Sequence, residues 1–279
     1  MLTVACVLKS GGCFGWNHVE ALHEALLRHL PRDFEWQFYT LSDVSPSPDA
    51  ASTVKLIHDW PGWWSKIELF RLPGPLLYFD LDTVIVGDLS EIARGVMAMP
   101  DGQLMYLPDF YRQRVQSGIL GWSGDMSRVY ETFKRIEAKG QWMRYRDHYR
   151  LRAKKSVWRG DGEFLHWMNR MHGLNCKSID RFTLKPAVFS YKRHVRAQSE
   201  ADREYVPDCA AVVCFHGLPR PWEVHPRPAW VPDYGASPRW DEPGADPVND
   251  MAQTMGITRE RMAGMLGVDD EELEGEATD

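Results

Sequence analysis

Residues 76–88 read Leu-Leu-Tyr-Phe-Asp-Leu-Asp-Thr-Val-Ile-Val-Gly-Asp, and this stretch decides the fold. An apolar run carries two carboxylates, Asp80 and Asp82, one residue apart. The run is short, aromatic and preceded by Pro-Gly-Pro, so it predicts a buried central strand of a parallel sheet. Side chains at i and i+2 share one face of a strand, and ligands of open α/β sheets bind beyond the strands' carboxyl ends. The two acids are therefore expected either to share a cation such as Mg²⁺ or Mn²⁺, or only to solvate a strand end.

The composition indicates one large α/β domain with a tail. The chain has 279 residues, 44% of them hydrophobic, which is enough for a sizeable core. No apolar run has the length of a membrane span, and the N-terminus lacks the charged region and cleavage site of a signal peptide. The five cysteines are scattered and form no Cys-x-x-Cys pair. These features predict a cytoplasmic protein with reduced thiols and no zinc knuckle.

Charge is unevenly distributed along the chain. The formal net charge of −6 comes from seven acids that residues 269–279 carry without a base. A basic cluster contains Arg144, Arg146, Arg150, Arg152, Lys154, Lys155 and Arg159. It is interpreted either as the solvated face of a helix or as a site for an acidic acceptor or phosphates.

Strand and helix patterns alternate through the first 215 residues. Strands are predicted at Val4–Leu8, Phe34–Leu41, Val54–Ile57, Gln103–Leu107, Ser117–Trp122 and Ala211–Phe215, and the quoted run is a strand with Asp80 and Asp82 at its tip. Helices are predicted after an Asn17 cap, over Trp63–Leu72, from Asp88, over Asp125–Ala138 and from Asp161. In the first helix, His18 and His23 are expected at the surface. This alternation predicts an α/β sheet sandwich.

Several polar residues follow predicted strands or begin predicted helices. The loop at 9–15 contains three glycines but matches neither a dinucleotide fingerprint nor a P-loop, although its amides can approach a nucleotide. Asp43 follows the second strand and is a candidate for a base or ribose contact. Lys66 is either a surface charge or a cation facing the acidic strand end. Asp161 is either a helix cap or a site residue.

The end of the chain differs from the rest. Residues 224–247 are rich in proline and predicted to wrap the body. Residues 248–279 form a predicted short helical tail with an acidic end, in which 251–266 read as two short helices around a turn. That pattern is similar to a fragment of a helix-turn-helix, a DNA-binding motif.

Together, these segments resemble a GT-A-fold glycosyltransferase related to glycosyltransferase family 8, the glycogenin-like group. The resemblance covers about residues 2–223, and Asp80 and Asp82 correspond to its Asp-x-Asp motif. The other segments that carry it are the opening strand and helix, Thr40–Asp43, residues 61–66, Ser117–Leu120, Gly160–Asp161, Ser190–His194 and His216–Trp222. It implies a nucleotide-diphospho-sugar transferase fold, with a mixed, mostly parallel sheet flanked by helices, at residues 1–223.

The resemblance also implies an activity and roles for residues. The expected reaction is metal-dependent transfer of a hexose or pentose from a nucleotide-diphosphate sugar to an unidentified acceptor, with retained anomeric configuration. Asp80, Asp82 and His216 would hold Mn²⁺ or Mg²⁺. Asp161, Arg220 and Lys66 would serve catalysis. Donor binding would fall to Asp43, Lys66, Asp80, Gly217 and Arg220.

The chain departs from the family pattern at three positions. Cys214 stands where the family usually has its histidine, three residues before Gly217. Gly162 stands where the family usually has glutamine after the helix-start aspartate. Arg220 replaces the usual lysine, which keeps a cation but gives it the planar fork of a guanidinium.

Two alternatives remain open from the sequence. A haloacid-dehalogenase-type phosphatase also has Asp-x-Asp after an apolar strand, but its motif normally continues Gly-Thr near the chain start. The departures at 162 and 214, with the basic and helical extras, are also consistent with a non-catalytic protein that binds a nucleotide sugar or nucleic acid. The acceptor of a transferase could itself be acidic: a nucleic acid, an anionic glycan or a lipid headgroup.

Overall fold

A computed structural model describes residues 1–45, 52–60, 62–112, 114–138, 160–196 and 204–235. The basic cluster at 144–159, residues 236–247 of the wrapping segment and the helical tail at 248–279 lie outside these ranges. The domain boundaries therefore stay predictions. Among the described residues, no helix is both long enough and apolar enough to span a membrane.

The described residues form two sheets. The larger sheet has the order β3-β2-β1-β4-β7-β6-β8, and the smaller has the order β5-β10-β9. The strands are β1 (Leu2–Leu8), β2 (Trp36–Ser42), β3 (Thr53–Lys55), β4 (Leu76–Phe79), β5 (Thr83–Ile85), β6 (Gln103–Pro108), β7 (Val115–Trp122), β8 (Asn175–Ser178), β9 (Val188–Ser190) and β10 (Val212–Cys214). In the large sheet β7 runs antiparallel to both β4 and β6, and the other neighbours are parallel. The predicted mixed, mostly parallel sheet is confirmed.

Helices cover both faces of the large sheet. The α-helices are α1 (Trp16–His29), α2 (Ser90–Ala98), α3 (Ser127–Ala138) and α4 (Asp161–His172). A 3-10 helix spans Gly62–Arg71, further 3-10 turns span Ile179–Arg181 and Pro221–Glu223, and one π-helical turn spans Tyr191–Val195. Helices α1 and α2 pack on one face, and α3, α4 and the long 3-10 helix pack on the other.

Strand β4 lies at the centre of the large sheet because both of its faces are apolar. Leu77 and Phe79 belong to the core beneath α1 and α2, whereas Leu76 and Tyr78 belong to the core on the opposite face. This alternation has the two-residue period of a strand buried on both sides. The quoted apolar stretch thus explains the layered architecture.

The quoted stretch is not one continuous strand. β4 ends at Phe79, residues 80–82 turn, and Thr83 begins β5 in the smaller sheet. A hydrogen bond from Thr83 N to Asp80 O at 3.1 Å closes the turn. The expectation that both acids stand on one strand is therefore wrong. They occupy the crossing between two sheets, because β5 pairs with β10 instead of extending the β4 ladder.

The start of α1 also differs from the prediction. Gly15, not Asn17, is the N-cap, and Asn17 Nδ2 donates a 2.5 Å hydrogen bond to the Tyr234 carbonyl. His18 was expected at the surface but is 0% exposed. Its ring stacks on Tyr234 and meets Trp222 edge-on. Val224, Val231 and Tyr234 pack on the small sheet, so the described part of the predicted wrapping segment does cover the body.

Gly121 in β7 leaves room for two core side chains, which gives a test of the packing. A Cβ there would lie 2.6 Å from Val96 Cγ2 and 2.9 Å from Met105 Cε. We expect Gly121→Ala to lower the free energy of unfolding by about 1–3 kcal/mol, because an added methyl overpacks this core. Denaturant titration measures the change. Gly12→Ala is the control, since its methyl would lie 3.6 Å from the nearest atom; equal stability of the two variants would contradict the packing.

Candidate active site

The two acids of the 80–82 turn open onto a cavity of about 170 Å³. Its wall combines the glycine-containing loop after β1, the start of the long 3-10 helix, the end of β4 and one arginine from the loop after β10. The lining residues are Val7, Lys9, Ser10, Gly11, Gly12, Cys13, Phe14, Gly62, Trp63, Ser65, Lys66, Tyr78, Asp80, Leu81, Asp82 and Arg220. Ligands of α/β sheets bind in such crevices at strand ends, so this is the candidate active site.

Lys66 is a buried cation at one end of the cavity. It is 5% exposed, and its Nζ lies 2.7 Å from Asp80 Oδ1 and 3.4 Å from Asp161 Oδ2. Burial lowers the pKa of Lys66, but Asp161 and Asp80 raise it by more, so the net shift is upward. The ammonium stays charged at neutral pH because two carboxylates compensate its lost hydration. Of the two interpretations of Lys66, the cation facing the acidic site is the one that the structure supports.

Arg220 is the second buried cation, and it pairs with Asp82. Arg220 is 6% exposed, its guanidinium donates to Asp82 Oδ2, and it lies 5.8 Å from the centre of the Phe14 ring. Burial raises the pKa of Asp82, and the charge of Arg220 opposes that shift. Arg220 precedes the turn Pro221–Glu223, whose Glu223 carboxylate accepts from the Arg220 amide. Asp82 is thus linked through Arg220 to the loop after β1, and Asp80 is linked through Lys66 to the start of α4.

Asp161 is the first residue of α4. Gly160 is the N-cap and has no side chain, so Asp161 supplies a carboxylate at the helix start without being the cap itself. Its Oδ2 is buried and lacks the geometry of a hydrogen bond, although Lys66 Nζ is 3.4 Å away. Burial raises the pKa of Asp161, whereas Lys66 lowers it, and the net shift is upward. This placement supports a site residue more than a simple cap.

Gly162 cannot carry a side chain in this fold. A Cβ at Gly162 would lie 2.8 Å from the Val115 carbonyl oxygen at the start of β7. The glutamine that the resemblance leads us to expect here therefore has no space, because the start of β7 occupies it.

Asp43 lies outside the set of cavity-lining residues. Its carboxylate accepts from Lys9 Nζ at 2.5 Å, from the Ser10 amide at 2.7 Å and from Ser10 Oγ at 2.6 Å. These contacts fix the start of the loop after β1. The structure therefore gives Asp43 a role in shaping the loop after β1, and its predicted contact with base or ribose stays a prediction.

His216 does not join the two acids. Its Nε2 lies 2.6 Å from Ser190 Oγ, and its ring stacks on Phe110 with centroids 5.4 Å apart. Burial, followed by the charge of Lys192, lowers the pKa of His216 to about 4. Cys214, at the family's usual histidine position, is buried in β10, where it pairs with Thr83. Gly217 follows with φ of 76°, a left-handed conformation that glycine adopts without strain.

The donor set fits a divalent cation only in part. Asp80 and Asp82 border the same cavity and offer the oxygen ligands that Mg²⁺ and Mn²⁺ prefer. Within the described ranges, however, no three His, Cys, Asp or Glu side chains form a group able to hold a metal. The two acids fit an ion that takes its remaining ligands from a bound substrate or water, and His216 as third ligand has no support from the geometry.

Two polar contacts escaped the sequence analysis. Tyr78 donates from its hydroxyl to Asp80 Oδ1, and Ser117 Oγ lies 3.4 Å from Lys66 Nζ. Tyr78 stands two residues before Asp80, the spacing of side chains on one face of a strand, so a signal for it existed. Ser117 comes from β7, and only the antiparallel pairing of β7 with β4 brings it to the site.

Known structures resemble this fold over nearly the whole chain. The galactosyltransferase LgtC, solved with donor and acceptor sugar analogs, matches with a TM-score of 0.52 and 14% identity over 98% of this chain and 99% of LgtC. The bifunctional glycosyltransferase WbbM matches with a TM-score of 0.52 and 11% identity over 95% of this chain. The chain spans only 52% of WbbM. Glycosyltransferase GlyE of Streptococcus pneumoniae TIGR4 scores 0.40 at 13% identity, over 63% of this chain and 44% of GlyE; that score supports no conclusion.

The fold is that of the GT-A glycosyltransferases. LgtC is a member of glycosyltransferase family 8, so its likeness agrees with the resemblance read from the sequence. The predicted fold class is confirmed. No protein-family model matches the sequence, and no curated protein matches it either. At 11–14% identity the likeness establishes the fold alone.

His18 anchors the helix that follows the loop at 9–15, and its titration can be tested. Burial lowers its pKa to about 4, whereas an unfolded histidine titrates near 6.5. Above about pH 6.5 His18 is neutral in both the folded and the unfolded chain, so it does not lower the free energy of unfolding. Between about pH 6.5 and 4 the unfolded chain binds a proton that the folded chain does not, so the free energy of unfolding falls by up to about 3 kcal/mol. We expect His18→Gln to remove this fall in the free energy of unfolding.

Denaturant titrations from pH 8 to 4 measure the difference between the parent and His18→Gln. The exposed His172 supplies the control variant, His172→Gln. Identical pH profiles for the parent and His18→Gln would contradict the buried, neutral state of His18.

Proposed function

We propose that this protein is a glycosyltransferase that uses a nucleotide-diphosphate sugar as donor. The observation that carries the proposal is the pairing of two buried cations, Lys66 and Arg220, with Asp80 and Asp82 around one cavity of a GT-A fold. Few structural needs explain two ion pairs this deeply buried, since desolvation offsets most of their attraction. Charges held at a strand-end cavity instead suit a ligand that is itself strongly charged.

The chemistry matches these charges. When the sugar transfers, the bond from its anomeric carbon to the phosphate oxygen breaks, and the diphosphate leaves with the electron pair. Arg220 would stabilise this growing negative charge near the loop after β1, and Lys66 would do so from the other end of the cavity. A divalent cation held by Asp80 and Asp82 would neutralise part of the same charge when bound. Retention of anomeric configuration stays a proposal from the family resemblance.

The remaining residues divide between the two ends of the donor. The loop from Lys9 to Phe14, fixed by Asp43, borders the Arg220 end and would hold the nucleotide. Asp161, beside Lys66, would orient a sugar hydroxyl. Gly217 would let the backbone of the loop after β10 approach the diphosphate.

The acceptor is not identified. The prediction of an acidic acceptor rests on Lys192 and Arg193, on the cluster at 144–159 and on the helix-turn-helix-like tail, the last two of which lie outside the described ranges. Arg193 Nη1 donates to the Phe110 carbonyl, and its guanidinium lies 5.7 Å from the Tyr111 ring centre. These contacts give Arg193 a structural use, so the acidic acceptor stays a prediction.

The two alternatives to a glycosyltransferase differ in how well the structure supports them. A phosphatase of the haloacid-dehalogenase type has no support, because the fold is GT-A. Binding of a nucleotide sugar without transfer is favoured by one observation, the backbone that fills the side-chain space at Gly162. Slow hydrolysis of a nucleotide sugar by the purified protein with Mn²⁺ separates the two, because a protein that only binds releases no free sugar.

Asp82 provides the first test. We expect Asp82→Asn to reduce donor hydrolysis at least about 100-fold and to remove metal-dependent nucleotide binding, because the amide lacks the charge that holds the cation. Asp82 is buried, so the variant also leaves Arg220 unpaired and should unfold at a lower temperature.

Asp82→Asn is therefore assayed at a temperature at which circular dichroism shows that it is folded. The exposed Asp233→Asn is the control. Unchanged hydrolysis in folded Asp82→Asn would contradict the proposed site.

Arg220 provides the second test. If its charge acts mainly on the departing diphosphate, Arg220→Ala should lower kcat about 100-fold or more while the donor KM changes little. Arg220→Lys keeps the charge without the bidentate fork and should recover part of kcat. The exposed Arg227→Ala is the matched control. A rise in KM at unchanged kcat would instead make Arg220 a ground-state binder.

A further inference from the structure

Trp63 lines the cavity with a nitrogen that has no partner among the described residues. It is the second residue of the long 3-10 helix, three residues before Lys66. A 3-10 helix has three residues per turn, so Trp63 and Lys66 lie on the same side of it. The indole is half-buried, but its Nε1 is buried and makes no hydrogen bond to the part of the chain that the structure describes. A buried N–H without an acceptor is rare and costly in native proteins.

The nitrogen edge of the Trp63 ring lies against the start of α4. A Cβ built on Gly160 would be 3.1 Å from Nε1 and 3.5 Å from the adjoining ring carbon. The next residue is Asp161, whose buried Oδ2 lies 3.4 Å from Lys66 Nζ and keeps lone-pair capacity for a second donor. Asp161 is 5% exposed. A buried donor without a partner among the described residues therefore lies against the helix start that carries Asp161, close to Lys66.

A hydroxyl group is the chemical group that satisfies both atoms. It donates its hydrogen to a carboxylate and accepts an N–H on its own oxygen. The position also distinguishes the parts of a donor. Arg220 contacts Phe14 of the loop after β1, whereas Lys66 contacts Asp161 at the start of α4. With the diphosphate near Arg220, the group that reaches Trp63 belongs to the sugar.

We propose that Trp63 Nε1 and Asp161 Oδ2 together bind one hydroxyl group of the transferred sugar, which makes Trp63 a specificity-determining residue. This rests on the proposed function and deepens it, because it requires a donor sugar with a free hydroxyl at that position. A site built to bind a hydroxyl rejects the deoxy analogue, since the buried N–H of Trp63 is then left unpaired. Trp63 would select the donor without taking part in bond breaking.

The experiment couples a change in the protein with a change in the donor. UDP-, GDP- and CDP-linked hexoses with Mn²⁺ first identify a sugar that the protein hydrolyses. The monodeoxy analogues of that donor are then compared by kcat/KM in the parent and in Trp63→Phe, which keeps a ring but loses the N–H. Trp36→Phe, a half-buried tryptophan on β2, is the matched control.

The effects of the Trp63→Phe change and of the missing hydroxyl on kcat/KM are expected to be non-additive. The parent should reject one monodeoxy donor by at least about tenfold. Trp63→Phe should lower kcat/KM for the full donor about tenfold and leave it within about threefold for that deoxy donor. Binding of the nucleoside diphosphate without sugar, measured by calorimetry, should stay within about twofold, because the contact is to the sugar.

The outcomes separate the two proposals. A protein that binds no nucleoside diphosphate and hydrolyses no donor overturns the proposed function, and this inference with it. A protein that hydrolyses a donor, but in which Trp63→Phe lowers kcat/KM for every deoxy donor as much as for the full donor, overturns the inference alone.

If Trp63→Phe does not fold, the variant Gly160→Ala tests the inference instead. Its methyl would press on Nε1 from 3.1 Å, so lost discrimination supports the contact and full discrimination overturns it.

Discussion

The burial of the Lys66 ammonium constrains the rest of the site. An unpaired ammonium in this position would be unstable, so Asp80 and Asp161 must both approach it. Asp80 comes from the end of β4, Asp161 from the start of α4 and Lys66 from the long 3-10 helix. One charge thus fixes three elements that are distant in sequence. The same requirement places the Asp80–Asp82 turn at the cavity and so sets where Asp82 meets Arg220.

Both cations are already neutralised by carboxylates of the protein. A diphosphate that approaches Arg220 or Lys66 therefore competes with Asp82 or Asp80 for the same N–H donors. Direct binding without another cation would bring the negative charges of ligand and protein together, which is unfavourable at short range. A divalent ion held by Asp80 and Asp82 would relieve this repulsion. The charge balance of the site therefore supports the proposal of a cation there.

The sequence was most informative where apolar periodicity dominates. The strands and helices around β4 were predicted because alternation and helical spacing reflect burial, and burial is encoded locally. Asp80, Asp82, Lys66, Asp161 and Arg220 were also selected in advance, and the structure gathers them into one cluster of charges. The break between β4 and β5 was missed, because Thr83–Ile85 is as apolar and β-branched as the strand before it. Only its pairing with β10 separates the two strands.

Other differences came from long-range contacts that no local pattern encodes. His18 looked like a surface residue on a helical wheel, yet Trp222 and Tyr234, more than 200 residues away, cover it. His216 was expected to bind a metal because of its position, yet its Nε2 is hydrogen-bonded with Ser190 and its ring stacks on Phe110. In both cases the partner lies on a segment whose place depends on the finished fold. A local reading identifies the chemistry of such residues but not their neighbours.

The backbone contact at Gly162 also limits how this protein can change over evolution. With the Val115 carbonyl 2.8 Å from the Cβ position, every single replacement of Gly162 meets the same obstacle, whatever side chain it brings. A side chain could be gained there only together with a change that moves the start of β7, so no single substitution reaches it.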